Sequence, residues 1–201
     1  VVITGTFASA TLNTGVTTLT NAGAAGTFDI FTTQRLVSTF AETWAVSAGG
    51  TGLDQAFGVA VDSSGNAYTT GHFASASITF GTVLTNTGSS DMFVAKHSAA
   101  GAHVWSINGI GAGDDFGEEI AVGSTGDVYV CGRFFGPTLQ VGSGGPSLAN
   151  PATSNAFVSR LDGTTGANVF GFAPTSAGGT DGALGCAVSL SGLAVGGSFT
   201  A

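Results

Sequence analysis

Positive charge is what this sequence has least of: Arg35, Lys96, Arg133 and Arg160 are its only cations among 201 residues, against twelve Asp and Glu, for a net charge of −8. A nucleic-acid surface needs clustered cations to neutralise phosphates, so nucleic acid is excluded as a partner. Adsorption to an anionic membrane surface is excluded for the same reason. Long apolar runs are missing too. None approaches the roughly 20 residues of a spanning helix, and no membrane insertion is expected. Catalytic signatures are equally scarce, with no G-x-S-x-G elbow, P-loop or H-E-x-x-H. GIGAGDD, from Gly109, contains a G-x-G, but it lies between two strand candidates instead of opening a helix, so the phosphate-binding reading fails. No Met and no signal-type leader opens the chain, which begins at Val1 in mid-strand; the expectation is a mature or trimmed piece of something longer.

What is present is glycine (34), phenylalanine (15) and many Ala, Ser, Thr and Val, with 43% hydrophobic residues and only 8% charged. That much apolar surface can offset the entropy of ordering the chain. The apolar residues are largely β-branched or aromatic, in runs of four to six punctuated by Gly, Ser, Asn and Asp. Such a pattern reads as all-β with tight turns.

The runs repeat. FGVAVDSSGNAYTTGHF at 57–73 is two apolar runs around a five-residue turn, 62–66, in which Asn and Gly tolerate positive φ. It recurs as FGEEIAVGSTGDVYVCGRF from Phe116 and LGCAVSLSGLAVGGSF from Leu184, and VVITGTF opens the chain as a partial copy. Gly5, Gly71, Gly132 and Gly197 therefore lie 66, 61 and 65 residues apart. Self-similarity at such a period marks a repeat architecture. Each unit offers four strand candidates joined by hairpins, the description of a β-propeller blade. The expected layout is an outer strand and link at 1–27, blades at 28–73, 92–134 and 156–201, and links at 74–91 and 135–155. The links share an echo, LTNAG from Leu19, LTNTG from Leu84 and LANPA from Leu148, and a small hairpin is expected at ITFGTVLTN from Ile78.

The repeated elements resemble a known family, the SBBP-type bacterial β-propeller repeat. The resemblance is carried by D-x-F at Asp29/Phe31 and Asp91/Phe93, by FVAK at 93–96, by Trp44 and Trp105, by GGTGLDQAFGVAVDSSGNAYTTGHF from Gly49, and by GAGDDFGEEIAVGSTGDVYVCGRF from Gly111. It implies a secreted or surface protein of bacterial type with a propeller-like fold. The third unit departs from the pattern, with Phe170 in place of the Trp and a turn one residue shorter, so a looser or terminal blade is expected there.

Candidate sites are few. Asp54, Asp115 and Asp181 hold the same place in all three units; a repeated Asp in a Gly-rich loop accepts backbone N–H groups and fixes the loop, whereas catalytic acids tend to be unique. The densest charge is the run 114–119. Asp114, Asp115 and Glu118 are its calcium candidates, although the alternating D-x-D-x-D-G spacing is missing and a solvated acidic loop explains the run as well. His72 shares its slot with Thr6, Arg133 and Ser198, which suggests an exposed position. His97 and His103 flank one turn and can face each other across it, two ligands short of the usual zinc set. Trp44, Trp105 and Phe170, with Phe31, Phe93 and Phe157, recur at set positions and read as packing between blades. If position 59 faces position 70 across the hairpin, Cys131 and Cys186 fall on same-named faces of successive blades, which do not meet; both are expected to be free thiols.

The sequence thus predicts an all-β, propeller-like array of three four-stranded antiparallel blades plus a leading outer strand, within a larger ring or assembly. Three blades leave two apolar faces open, to be covered by further blades of the same chain or by copies of itself. The function expected is that of a non-catalytic extracellular or cell-surface module, structural or adhesive. A glycan- or ligand-binding propeller is the alternative, and an enzyme comes third. No cofactor is expected unless calcium.

Overall fold

The computed structural model describes residues 1–23, 26–175 and 179–198, and among them there are nineteen strands and no helix. In chain order these are β1 (Val2–Phe7), β2 (Thr11–Asn13), β3 (Thr18–Thr20), β4 (Asp29–Arg35), β5 (Glu42–Ala48), β6 (Asp54–Val61), β7 (Ala67–Phe73), β8 (Ser77–Thr79), β9 (Val83–Thr85) and β10 (Asp91–His97). They continue as β11 (His103–Gly111), β12 (Asp115–Val122), β13 (Val128–Phe134), β14 (Thr138–Val141), β15 (Ser147–Ala149), β16 (Asn155–Leu161), β17 (Asn168–Phe172), β18 (Gly182–Ser189) and β19 (Gly192–Ser198). Every ladder between them is antiparallel.

The sheets cut the chain half a period away from the expected units. Instead of β4-β5-β6-β7 forming one sheet, the orders are β1-β4-β5, then β6-β7-β10-β11 extended by β14-β15, then β12-β13-β16-β17, then β18-β19. Three four-stranded blades with a leading outer strand are therefore not the arrangement found: two sheets hold the full set of four, the first holds three strands and the last two. The physical reason lies in the two kinds of connection. The Gly-rich segment 49–53 makes no hairpin; it carries the chain to the neighbouring sheet, where Leu53 bridges Phe28 in parallel. A Cβ on Gly52 would stand 2.4 Å from the Ser75 backbone nitrogen, so only glycine permits this crossing. The long link 74–91 folds into its own small hairpin, β8–β9, as expected from Ile78 onward, and its two ends return side by side, so β7 pairs with β10.

The echo in the links now has a cause. Asn21, Asn86 and Asn150 each donate through Nδ2 to the carbonyl of the Phe ending a strand, respectively Phe7, Phe73 and Phe134, at 3.3–3.4 Å. Their Oδ1 atoms accept from Gly23, Gly88 and Ala152 two residues on, closing an Asx turn. Leu19, Leu84 and Leu148, two residues before each Asn, are buried.

Each β6-type hairpin carries a one-residue bulge, between Ala56 and Gly58, Gly117 and Glu119, and Ala183 and Gly185. The bulge pushes a carbonyl toward the facing glycine. A Cβ on Gly71, Gly132 or Gly197 would lie 1.8–2.0 Å from the backbone oxygen of Gln55, Phe116 or Gly182. This close approach is why the TGxF element keeps its glycine. The bulge also corrects the expected register: Val59 faces Thr69 and Gly58 faces Thr70, so positions 59 and 70 lie on opposite faces of the sheet.

The core lies between stacked sheets. Tyr68, Met92, Val94, Trp105, Ile120, Val130, Phe134 and Phe157 form one buried cluster, and Ile30, Phe73, Ile78, Phe80 and Phe93 a second. Trp44 and Trp105 pack as expected for aromatics between sheets. Each lies under a turn of the following sheet, donating its indole N–H to Ala99 O and to Gly163 O at 3.1 Å. Phe170, in the same slot, is 55% exposed.

Candidate functional site

The buried acidic side chains gather where one sheet meets the next. At each junction a backbone amide crosses over: Asp54 N donates to Phe28 O, Asp115 N to Ser90 O and Asp181 N to Ser154 O, at 3.0, 2.7 and 3.3 Å. Beside each bridge stand two side chains from the two sheets, Asp29 with Asp54, Asp91 with Asp115, and Asn155 with Asp181. All six are buried.

Asp54 acts on its loop as a repeated Asp should, accepting Ala74 N and Ser75 N at 3.1 Å and the Ser75 hydroxyl at 2.6 Å. Asp91 accepts Thr87 N, the Thr87 hydroxyl, Gly88 N and the Asn108 amide. Asp115 differs. Gly136 stands where the first junction has Ser75, so there is no hydroxyl to receive, and neither carboxyl oxygen of Asp115 has a hydrogen-bond partner. Burial, then the charges of Asp91 and Asp114, push its pKa up to about 8. Asp115 thus holds its proton at neutral pH, whereas Asp91 has four donors on its carboxyl group. Burial also raises Asp29 and Asp91, against the N–H groups that they accept. Asp181 lies at the third junction, its amide bonded to Ser154 and its own carbonyl accepting the Ser154 hydroxyl.

The calcium candidates are not brought together. Glu118, the bulged residue of β12, pairs with Arg133 at 3.2 Å, Asp115 is sealed inside, and the Asp114 carbonyl accepts Phe135 N. Among the described residues no three His, Cys, Asp or Glu side chains are grouped to hold a metal ion. A flexible cation needs six to eight oxygens, and these residues do not fit one.

The histidines divide. His72 is 4% exposed, which corrects the expectation of an exposed slot. The slot lies between sheets, where the bulged Phe57 and the next sheet's Phe116 cover the ring at centroid distances of 5.2 and 4.7 Å. Burial and Arg133 lower its pKa to about 4. Arg133, one sheet on, lies over Phe116 at 5.1 Å. His97 and His103 do face each other, with ring centroids 6.1 Å apart, and burial lowers His97 to about 4. The other ring neighbours of His97 are Trp44 and Phe80, which supply no metal ligand.

The sequence reading missed a polar network at the second junction. Gly163 O accepts both the Lys96 ammonium, at 2.6 Å, and the Trp105 indole. Lys96 lies 5.0 Å from the centre of the Tyr68 ring, and Tyr68 donates to Asp62. FVAK and the Trp were each visible as motifs, but a contact 67 residues away in sequence leaves no local signal. Chemically these groups join sheets. The pair at the third junction contains Asn155, an amide that cannot act as acid or base.

Residues 43–72 match the model of the SBBP family, described as a beta-propeller repeat. The match begins in β5, passes through the Gly-rich crossing and the bulged β6, and ends one residue short of the close of β7. No curated protein matches the sequence. The bulge, buried aspartate and crowded glycine of the segment that matches this repeat model recur at 115–134 and 181–198.

Proposed function

We propose that this chain is a non-catalytic structural or adhesive module, exposed outside the cell, whose stacked sheets are consecutive blades of a propeller-like array completed by further sheets of the same repeat. One observation carries the reading. Beside the edge of β19 that pairs with no strand among the described residues runs a groove of about 260 Å³ lined by Phe157, Phe170, Phe172, Pro174, Leu193 and Val195. Phe170 and Phe172 are 55% and 53% exposed there, where the equivalent Trp44 and Trp105 are 8%. The occupant is named by register. Gly5, Gly71 and Gly132 each pair with the Phe of the following D/N-x-F strand, Phe31, Phe93 and Phe157. Gly197, on the free edge of β19, fits the same partner from a further repeat. The non-catalytic part rests on how the few cations are used: Arg133 on Glu118, Arg160 on Asp127, Lys96 on Gly163 and Arg35 on backbone carbonyls, all within the fold. Low lysine content and abundant Gly, Ser and Thr support a surface location.

Sedimentation and electron microscopy of the chain test this. Concentration-dependent strings or rings are expected, and Phe172→Lys should return the chain to a monomer with unchanged circular dichroism. A monodisperse 19.6 kDa species at high concentration refutes it. A second reading, ligand binding at loop tips, is favoured by Phe40. It is exposed, stands at φ 57 where non-glycine residues are rare, and stacks under Arg35 at 5.2 Å. An exposed aromatic fixed in this way suits the face of a sugar; glycan-array binding abolished by Phe40→Ala would favour that reading over assembly.

A further inference from the structure

Cys131 and Cys186 are both free thiols, as expected, but the expectation that their faces do not meet is overturned. The bulge places 59-type and 70-type positions on opposite faces, so Cys131 points forward from β13 and Cys186 points back from β18. The Cys186 sulfur lies 3.8 Å from Tyr129 O on β13, two residues from Cys131, and each thiol is the largest single influence on the other's proton affinity. Cys131 is fully buried, between Glu119 and Val158 in the ladder, whereas Cys186 is half-buried.

The geometry points to Cys131 and Cys186 as a thiol pair that a small-molecule disulfide converts into an internal cystine, stapling the β18–β19 hairpin to the sheet before it. Their reactivities are unequal in the required order. The interaction between the two side chains, then burial, raises the Cys131 thiol, and the same interaction lowers Cys186. Cys186 is therefore the sulfur of the pair that ionises more readily and that solvent can reach. It attacks one sulfur of R–S–S–R; the S–S bond breaks, a mixed disulfide forms on Cys186, and RS⁻ leaves and takes up the proton that Cys186 lost. The Cys131 sulfur then attacks the Cys186 sulfur, its proton going to the second RS⁻. Two protein thiols are oxidised and one R–S–S–R is reduced to two RSH. The hairpin so fastened is the one whose outer edge has no partner strand among the described residues. Without the bond it rests on face packing against β12, β13 and β16 and on the contacts that residues 179–181 make with 153 and 154.

The test is to incubate the folded chain with oxidised glutathione, quench with acid, alkylate, digest without reductant and map the peptides by mass spectrometry. The expected product is a linked Cys131–Cys186 peptide, two hydrogens lighter and free of glutathione, that dithiothreitol reverses. In Cys131→Ala, chosen because a hydroxyl would be buried there, glutathione should remain on Cys186. In Cys186→Ala, Cys131 should stay unmodified while the circular dichroism matches wild type; this variant keeps the test usable should the first not fold. The proposal is overturned if wild-type chain retains glutathione on Cys186, if both cysteines stay open to alkylation, or if the bond forms only between chains.

Discussion

Replacing Gly132 by Ala tests the physical basis of the repeat most directly. The new Cβ would stand 1.8 Å from the carbonyl oxygen of Phe116 and 2.9 Å from the Phe157 ring, whereas non-bonded carbons rest at roughly 3.5–4.0 Å. Neither neighbour can swing aside: the oxygen is backbone within the β12 bulge, and Phe157 is fully buried. Overpacking a core costs about 1–3 kcal/mol, and a clash with backbone on one side and a locked ring on the other belongs at the top of that range. For a chain of this size about 3 kcal/mol lowers the melting midpoint by roughly 6–12 °C. Gly196→Ala supplies the control, since a Cβ there meets nothing within 4 Å and its φ is ordinary. Its stability should stay within about 0.5 kcal/mol of wild type. Thermal unfolding followed by circular dichroism compares the two. If Gly132→Ala melts within about 2 °C of Gly196→Ala, the glycine is not held by the bulge and the explanation of TGxF fails.

Asp115→Asn should stabilise the protein, and increasingly so as pH rises. A carboxyl raised from 3.8 to about 8 on folding contributes its stability below pH 4 and loses it as pH climbs through 8, with a ceiling slope of about 1.4 kcal/mol per pH unit. The advantage of the variant, measured by urea unfolding, should be near zero at pH 4 and largest near pH 8; a gap independent of pH would show that Asp115 does not keep its proton. The buried His72 and His97, lowered to about 4, act in the opposite sense in both proteins, losing stability as pH falls from 6.5 to 4, and cancel in the difference. Trp105→Phe removes one of the two donors on Gly163 O and part of a buried ring, for a loss of about 1–2 kcal/mol. A neutral result in the same unfolding assay would mean that the indole bond between sheets contributes nothing.

All-β class, repeat period, hairpins, turns and the small hairpin in the link were legible in the sequence, because each is written in neighbours: alternating apolar residues, Gly and Asn in turns, an Asp every period. Turn chemistry is local, so 62–66 could be read directly; Gly65 is at φ 82, and Asp62 accepts Ser64 N and Asn66 N. Which strands share a sheet was not legible. From the sequence the long link 74–91 reads as the step between blades and 49–53 as a connection within one, and only the ladders reveal the reverse: the first joins hydrogen-bonded neighbours and the second changes sheet. The one-residue bulge had the widest effect. Because side chains alternate every residue along a strand, an extra residue opposite Gly71 or Gly132 turned the face of everything beyond it. That brought the two cysteines together, enclosed His72 between Phe57 and Phe116, and left Glu118 to Arg133. The same sequence position is loop cap in Asp54 and unpartnered acid in Asp115, because Ser75 and Gly136, from a strand away, decide whether a donor is there. Sequence by itself determined the repeated unit and its local chemistry; tertiary structure decided the pairing, the faces and therefore the sites, since those depend on contacts some 20 to 60 residues apart, where no local pattern reaches.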